Sequence, residues 1–121
     1  MFEKEEIPDE DYIFYRVHKN LTDNKNEILP NVFRDKGTSM STDWERYSSA
    51  QDTQDRGKTP TDNFILKLNV GKVRSKITLQ VEHDPIDDNQ AHTSVLGEKD
   101  TEARIHLMRI SKIILPLSFH E

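Results

Sequence analysis

Two runs of alternating side chains constrain this chain more than anything else in it. Over residues 64–70, Phe64, Leu66, Leu68 and Val70 share one side of an extended chain; over 77–83, Ile77, Leu79, Val81 and His83 alternate with Thr78, Gln80 and Glu82. Successive side chains of a strand point to opposite faces, so a period of two demands strands with a dry face. A further strand is predicted at 12–18, where Tyr12, Ile13, Phe14, Tyr15 and Val17 supply aromatic and β-branched residues. Others are predicted at 92–96 and 112–117, the last interrupted by Pro116. The link 71–76 is short enough for a hairpin or a brief helical turn, with Lys72, Arg74 and Lys76 as its charged edge.

Helical signals are fewer. Ala103, Leu107 and Ile110 form one stripe at helical spacing, with Asp100 or Thr101 as cap. Thr42 followed three residues later by Glu45 matches a capping box and predicts a short helix over about 43–50, with Trp44 as a core anchor. Val32-Phe33 is an isolated apolar point, and the polar stretch 51–63 reads as a solvated loop. The order β, helix, β, β, β, helix, β implies an α+β fold: a mostly antiparallel sheet with two short helices. Residues 12–121 form a single compact domain in this reading, and 1–11 a loose acidic lead-in.

Composition sets the limits on function. A chain of 121 residues, 33% hydrophobic and 32% charged, has material for one modest core. A net charge of −5 disfavours general duplex nucleic-acid binding, which gains its affinity from counterion release by basic side chains. The absence of cysteine excludes disulfides, thiolate metal sites and cysteine nucleophiles. The acidic N-terminus carries no signal-peptide core, and apolar runs such as Ile113-Ile114-Leu115 fall far below the roughly 20 residues of a membrane span. A cytoplasmic location without a membrane partner is expected.

Three clusters carry candidate chemistry. On the first strand Arg16 and His18 share a face with Tyr12 and Phe14 and could grip a phosphate or carboxylate, if Ile13, Tyr15 and Val17 face the core. A half-exposed strand with polar residues outward explains them equally well. Gly37 to Asp43 brings Ser39, Ser41 and Asp43 toward the expected helix start, where free backbone N–H groups favour an anion, although capping alone accounts for them too. No Gly-x-Ser-x-Gly elbow surrounds Ser39 or Ser41, so neither reads as a covalent nucleophile. In the third cluster His83, Asp84, Asp87, Asp88, Asn89 and His92 lie close in sequence. Their spacing matches no standard metal motif, and no metal is assigned; His83 or His92 is instead a candidate acid or base. His106 and His120 read as uninvolved.

Tyr15-Arg16-Val17-His18, Phe33-Arg34-Asp35, Met40-Ser41-Thr42-Asp43, His83-Asp84-Pro85 and Asn89-Gln90-Ala91-His92 with Gly97, in this order, resemble a family of small prokaryotic proteins without an assigned activity. The resemblance spans roughly 12–110 and implies that Arg16, Ser41, Asp43, His83, Asn89 and His92 belong together. More distantly, an arginine or histidine on the first strand followed by a serine-rich strand is similar to the layout of ADP-ribosyltransferase folds. That similarity implies Arg16 or His18 on a dinucleotide and Ser39 or Ser41 at a nicotinamide pocket. The chain departs from it in being short and in lacking a catalytic glutamate motif, Glu82 and Glu98 being the only well-placed acids.

Two functions are therefore expected. The first is an enzyme-like domain acting on a phosphate-bearing substrate such as a nucleotide, NAD or an RNA end, with His92 or His83 moving a proton and no cofactor specified. The second is a non-catalytic protein partner of the immunity, antitoxin-like or accessory kind.

Overall fold

The computed structural model describes residues 1–118; His120 lies outside the described residues. The chain runs β1 (Tyr12–His18), β2 (Met40–Trp44), α1 (Ala50–Asp55), β3 (Asn63–Asn69), α2 (Val70–Arg74), β4 (Gln80–His83), β5 (His92–Leu96), α3 (Thr101–Ile110) and β6 (Ser111–Leu115). The six strands form one sheet in the order β4-β5-β2-β1-β3-β6, every neighbouring pair antiparallel. The α+β class with an antiparallel sheet in one domain is therefore the fold.

The alternations in the sequence fix which face is dry. Ile13, Tyr15 and Val17 on β1, Phe64, Leu66 and Leu68 on β3, Met40 and Trp44 on β2, and Val81 and Val95 on β4 and β5 share one core. α2 and α3 cover that core, α2 through Val70 and Val73 and α3 through Ala103 and Leu107. α1 lies on the opposite face, over β1 and β3, where Phe14 and Ile65 are also buried. Each CH₂ removed from water contributes about 0.8 kcal/mol, so the two-sided burial of β1 and β3 makes them the anchor of the sheet.

Four expectations are corrected. Residues 43–50 are not a helix: β2 occupies Met40–Trp44, and α1 begins only at Ala50. The Thr42 hydroxyl donates to Thr93 O across the sheet, and Glu45 Oε1 accepts from Tyr12 N–H, so neither caps a helix. The working capping box is Ser49 with Asp52, inside the stretch read partly as a solvated loop. Among the described residues there are three α-helices rather than two.

Of the two readings of the link 71–76, the brief helical turn holds and the hairpin does not. Asn69 accepts from Lys72 N–H and starts α2, which carries the chain over the core to the far edge of the sheet. Strand β4 is consequently shorter than its alternation suggested, and Ile77 is exposed.

Nor are residues 1–11 loose. Ile7 is buried, Arg74 Nη1 donates to Ile7 O and Asp9 Oδ1, Trp44 Nε1 donates to Asp11 Oδ2, and Gly71 N–H donates to Asp9 O. A Cβ on Gly71 would stand 2.9 Å from Asp9 O, so the strap passes where only glycine leaves room.

Candidate functional site

The sheet forks between β1 and β2. These strands are paired only at Ile13↔Trp44 and Phe14↔Asp43, although β1 continues to His18 and β2 begins at Met40. Beyond Phe14 the two diverge, and a cleft of about 1030 Å³ opens on the face opposite the core. From the core side the fork is closed by Phe33, which stacks on Tyr15 with ring centroids 5.7 Å apart. The Tyr15 hydroxyl donates to Val32 O at 2.7 Å and accepts from Arg34 N–H at 3.2 Å. The same segment then carries Arg34 and Lys36 onto the cleft wall.

The ladder between β1 and β2 stops at Phe14 and Asp43. Trp44 N–H donates to Ala91 O and Glu45 N–H to Tyr12 O, so along β2 even residues turn to β5 and odd ones to β1. Ser41 N–H therefore points to β1 where β1 has departed. By the same alternation Arg16 N–H points toward β2. Arg16 and Ser41 are not paired with each other across the fork.

Side chains around the fork fall into three groups. Arg16 reaches across to α1, where Nη1 donates to Thr53 O at 2.9 Å. Gly57 makes this close packing workable: a Cβ there would stand 3.0 Å from Arg16 Cδ and 2.8 Å from Asn63 Nδ2. Arg16, Arg34 and Lys36 have no carboxylate within ion-pair distance among the described residues.

Asp43 forms a second group as a buried hub. Its Oδ2 accepts from Thr53 Oγ1 and Arg56 Nη1, both at 2.8 Å, and its Oδ1 accepts from Asn89 Nδ2 at 2.8 Å. Asn89 Oδ1 in turn accepts from Ala91 N–H. With their polar atoms engaged, Asp43 and Asn89 build the floor and hold Arg56 at the cleft.

The third group is Ser41, His92 and Asp84. His92 Nδ1 lies 2.8 Å from Asp84 O, an acceptor only, so Nδ1 carries the proton and Nε2 accepts. Ser41 Oγ sits 3.3 Å from that Nε2. The Asp84 carboxylate, 3.9 Å from Nδ1, accepts from Ser94 Oγ at 3.2 Å.

Seven of the residues singled out in the sequence line this one cleft: Arg16, His18, Ser39, Ser41, Asp43, Asn89 and His92. His18 contributes at the margin, its Nδ1 accepting from Asn20 N–H and its Nε2 4.0 Å from Asp62 Oδ2. His83 does not belong. It pairs with Thr93, so His92 next along β5 faces the other way; His83 is buried against Trp44 with ring centroids 5.1 Å apart. Its Nδ1 accepts from Glu5 N–H and its Nε2 donates to Gln90 O, which makes it a clamp for the N-terminal strap. The expected helix N-terminus at Asp43 is also absent, since Met40–Trp44 is a strand.

Arg56 and Thr53 were missed because stretch 51–63 has no periodicity to aim them; the Ser49-x-x-Asp52 spacing was the one available signal. Lys99 was missed as well. Its buried ammonium donates to Asp35 Oδ1, Val95 O and Gly97 O, tying the Arg34–Lys36 wall to the end of β5. Cleft carboxylates other than Asp43 and Asp35 belong to the loop after β4, at Asp84 and Asp88. Neither Glu82 nor Glu98 lines the cleft. Comparison with protein-family models, curated proteins and solved structures finds no match to this chain. Among the described residues no helix is long and apolar enough to cross a membrane.

Proposed function

We propose that the cleft binds a small phosphate-bearing ligand, a nucleotide, NAD or an RNA end, and that the domain acts on it as an enzyme. The observation that carries this reading is the fork: Arg16 on one strand and Ser41 on the other, not paired with each other once the ladder stops, with the guanidinium of Arg56 on the same cleft. Guanidinium and backbone N–H groups are the donors that a phosphate's oxygens require, and charge-assisted bonds of this kind are about twice as strong as neutral ones. Three of the four lining aspartates already have cationic partners: Asp43 with Arg56 and Asp35 with Lys99 at 2.8 and 2.7 Å, and Asp84 with the exposed Lys4 at 3.9 Å. The fork side is thus the cationic side, while Asp84 and Asp88 place carboxylates on the loop side, suited to a ligand with hydroxyl or amino groups beyond its phosphate.

In this reading Arg16 grips the phosphate, Arg34 and Lys36 add positive field, Asp43 and Asn89 hold the floor, and His92 moves a proton through Nε2. Of the six residues that the resemblance to the prokaryotic family groups together, Arg16, Ser41, Asp43, Asn89 and His92 line the cleft and His83 does not. Placement of an arginine strand beside a serine strand keeps NAD among the ligands to be tried, and the lack of a cleft glutamate argues against an ADP-ribosyltransferase reaction on it.

Calorimetric titration with inorganic phosphate, mononucleotides, NAD and a short RNA bearing a terminal phosphate tests the proposal. At least one ligand should bind more tightly than millimolar, and Arg16→Ala should weaken it at least tenfold while leaving the fold intact. Failure of all of them at millimolar concentration contradicts it. A single protein recovered from the native host at one-to-one stoichiometry would then favour the partner-protein reading.

A further inference from the structure

We propose that Ser41 is a nucleophile, that His92 is its base, and that the cleft catalyses phosphoryl transfer from a phosphate ester. This rests on the reading of the cleft as a phosphate site and adds the chemistry done there. Hydroxyl groups near Ser41 have acceptors of ordinary structural kind: Thr42 donates to Thr93 O, Ser94 to Asp84 Oδ2, and Thr53 to Asp43 Oδ2. Ser41 alone among them has an imidazole nitrogen as its side-chain partner. Ser39, also on the cleft, lacks one.

The imidazole is held for the task. Asp84 O fixes the proton on Nδ1, which leaves Nε2 as the basic atom facing Ser41. The Asp84 carboxylate stands 3.9 Å away to stabilise the imidazolium that forms, and Ser94 holds that carboxylate in place. Nucleophile, base and orienting group at hydrogen-bond spacing define an activated hydroxyl whatever the fold that presents it. The sequence could not reveal this trio, because it lacks an elbow motif and is assembled by the diagonal between two antiparallel strands, β2 and β5.

The cations select the electrophile. Carboxyl esters place one negative charge on one oxygen, whereas a phosphoryl group carries charge on its peripheral oxygens throughout and needs several donors. Arg16 and Arg56, with Arg34 and Lys36 on the same cleft, offer several. In the step itself Ser41 Oγ forms a bond to phosphorus while His92 Nε2 takes the hydroxyl proton. The P–O bond to the leaving alcohol breaks on the side of phosphorus opposite Ser41, and that oxygen takes a proton from solvent water. Water then attacks the phosphoserine from that opposite side and gives up a proton to solvent; the P–Oγ bond breaks, the His92 imidazolium returns its proton to Ser41 Oγ, and inorganic phosphate departs.

A fluorophosphonate probe tests this without knowledge of the natural substrate. Ser41 Oγ forms a bond to the probe's phosphorus, the P–F bond breaks, fluoride leaves, and the hydroxyl proton passes through His92 to solvent. Peptide mass spectrometry of the wild-type chain should find the label on Ser41, and His92→Gln should label at least tenfold more slowly. Inorganic phosphate, titrated in parallel, should bind to the wild type. If phosphate binds the wild type and Ser41 stays unlabelled, or labels as fast in His92→Gln, the nucleophile proposal is overturned and the binding reading stands. If phosphate does not bind either, both fall.

Discussion

A few side chains decide whether the fork exists at all, and Tyr15 is the plainest. Its ring belongs to the core, yet its hydroxyl is the bolt that holds the 30–34 segment beneath the opening. Burial, opposed by the hydrogen bond from Arg34 N–H, raises its pKa above the ordinary tyrosine value. The folded chain therefore holds this proton more tightly than the unfolded chain does. That contribution to stability is complete below about pH 10 and is lost as pH rises through the higher folded value. Tyr15→Phe should cost about 1–3 kcal/mol near neutral pH, because Val32 O and Arg34 N–H lose a partner. Denaturant midpoints measured from neutral to strongly alkaline pH should fall less steeply for Tyr15→Phe than for the wild type. Equal slopes would contradict the assignment.

At the level of elements, the sequence was readable where a period of two ran against a single core. The strands near 12–18, 64–70 and 92–96, and the helix capped by Asp100, lie where their patterns placed them. Residues 40–44 were not legible as a strand, because Thr42 and Glu45 satisfy a capping box on paper while the competing ladder to β5 is 51 residues away along the chain. Local spacing cannot weigh a partner at that distance. The same blindness hid α1, whose contribution is to hold Arg16 through Thr53 O and Arg56 through the Asp43 hub. Gly57, just beyond α1, packs against the Arg16 guanidinium. Gly57→Ala should displace Arg16 and also press on the buried Asn63 amide, 2.8 Å from the new Cβ, at some cost in stability that the lowered entropy of the unfolded chain, about 0.4–1 kcal/mol, offsets in part. Phosphate affinity should drop about tenfold, equivalent to about 1.4 kcal/mol, by calorimetry. A loss of thermal stability with unchanged affinity would mean that Gly57 serves the fold and not the cleft.

For the whole molecule, the division of labour runs between the two faces of one sheet. One face is closed by α2, α3 and the N-terminal strap, with His83 clamped inside it; the other is covered only in part, by α1, and opens where β1 and β2 separate. Which polar residues share a face was legible from strand parity, as for Arg16 and His18 on β1. That His83 and His92 stand on opposite faces was not, because it depends on the register of β4 on β5 across a loop of unknown course. The depth of the fork likewise depends on where β1 and β2 stop pairing, which is set by the Phe33–Tyr15 stack beneath them. The account predicts that a phosphate group sits at the fork between β1 and β2. Amide chemical shifts followed during titration with inorganic phosphate test this directly: Arg16 and Ser41 N–H should move most, and should cease to move in Arg16→Ala. Shifts confined to the far face around His83 and Trp44, or no saturable shift at the fork, would contradict it.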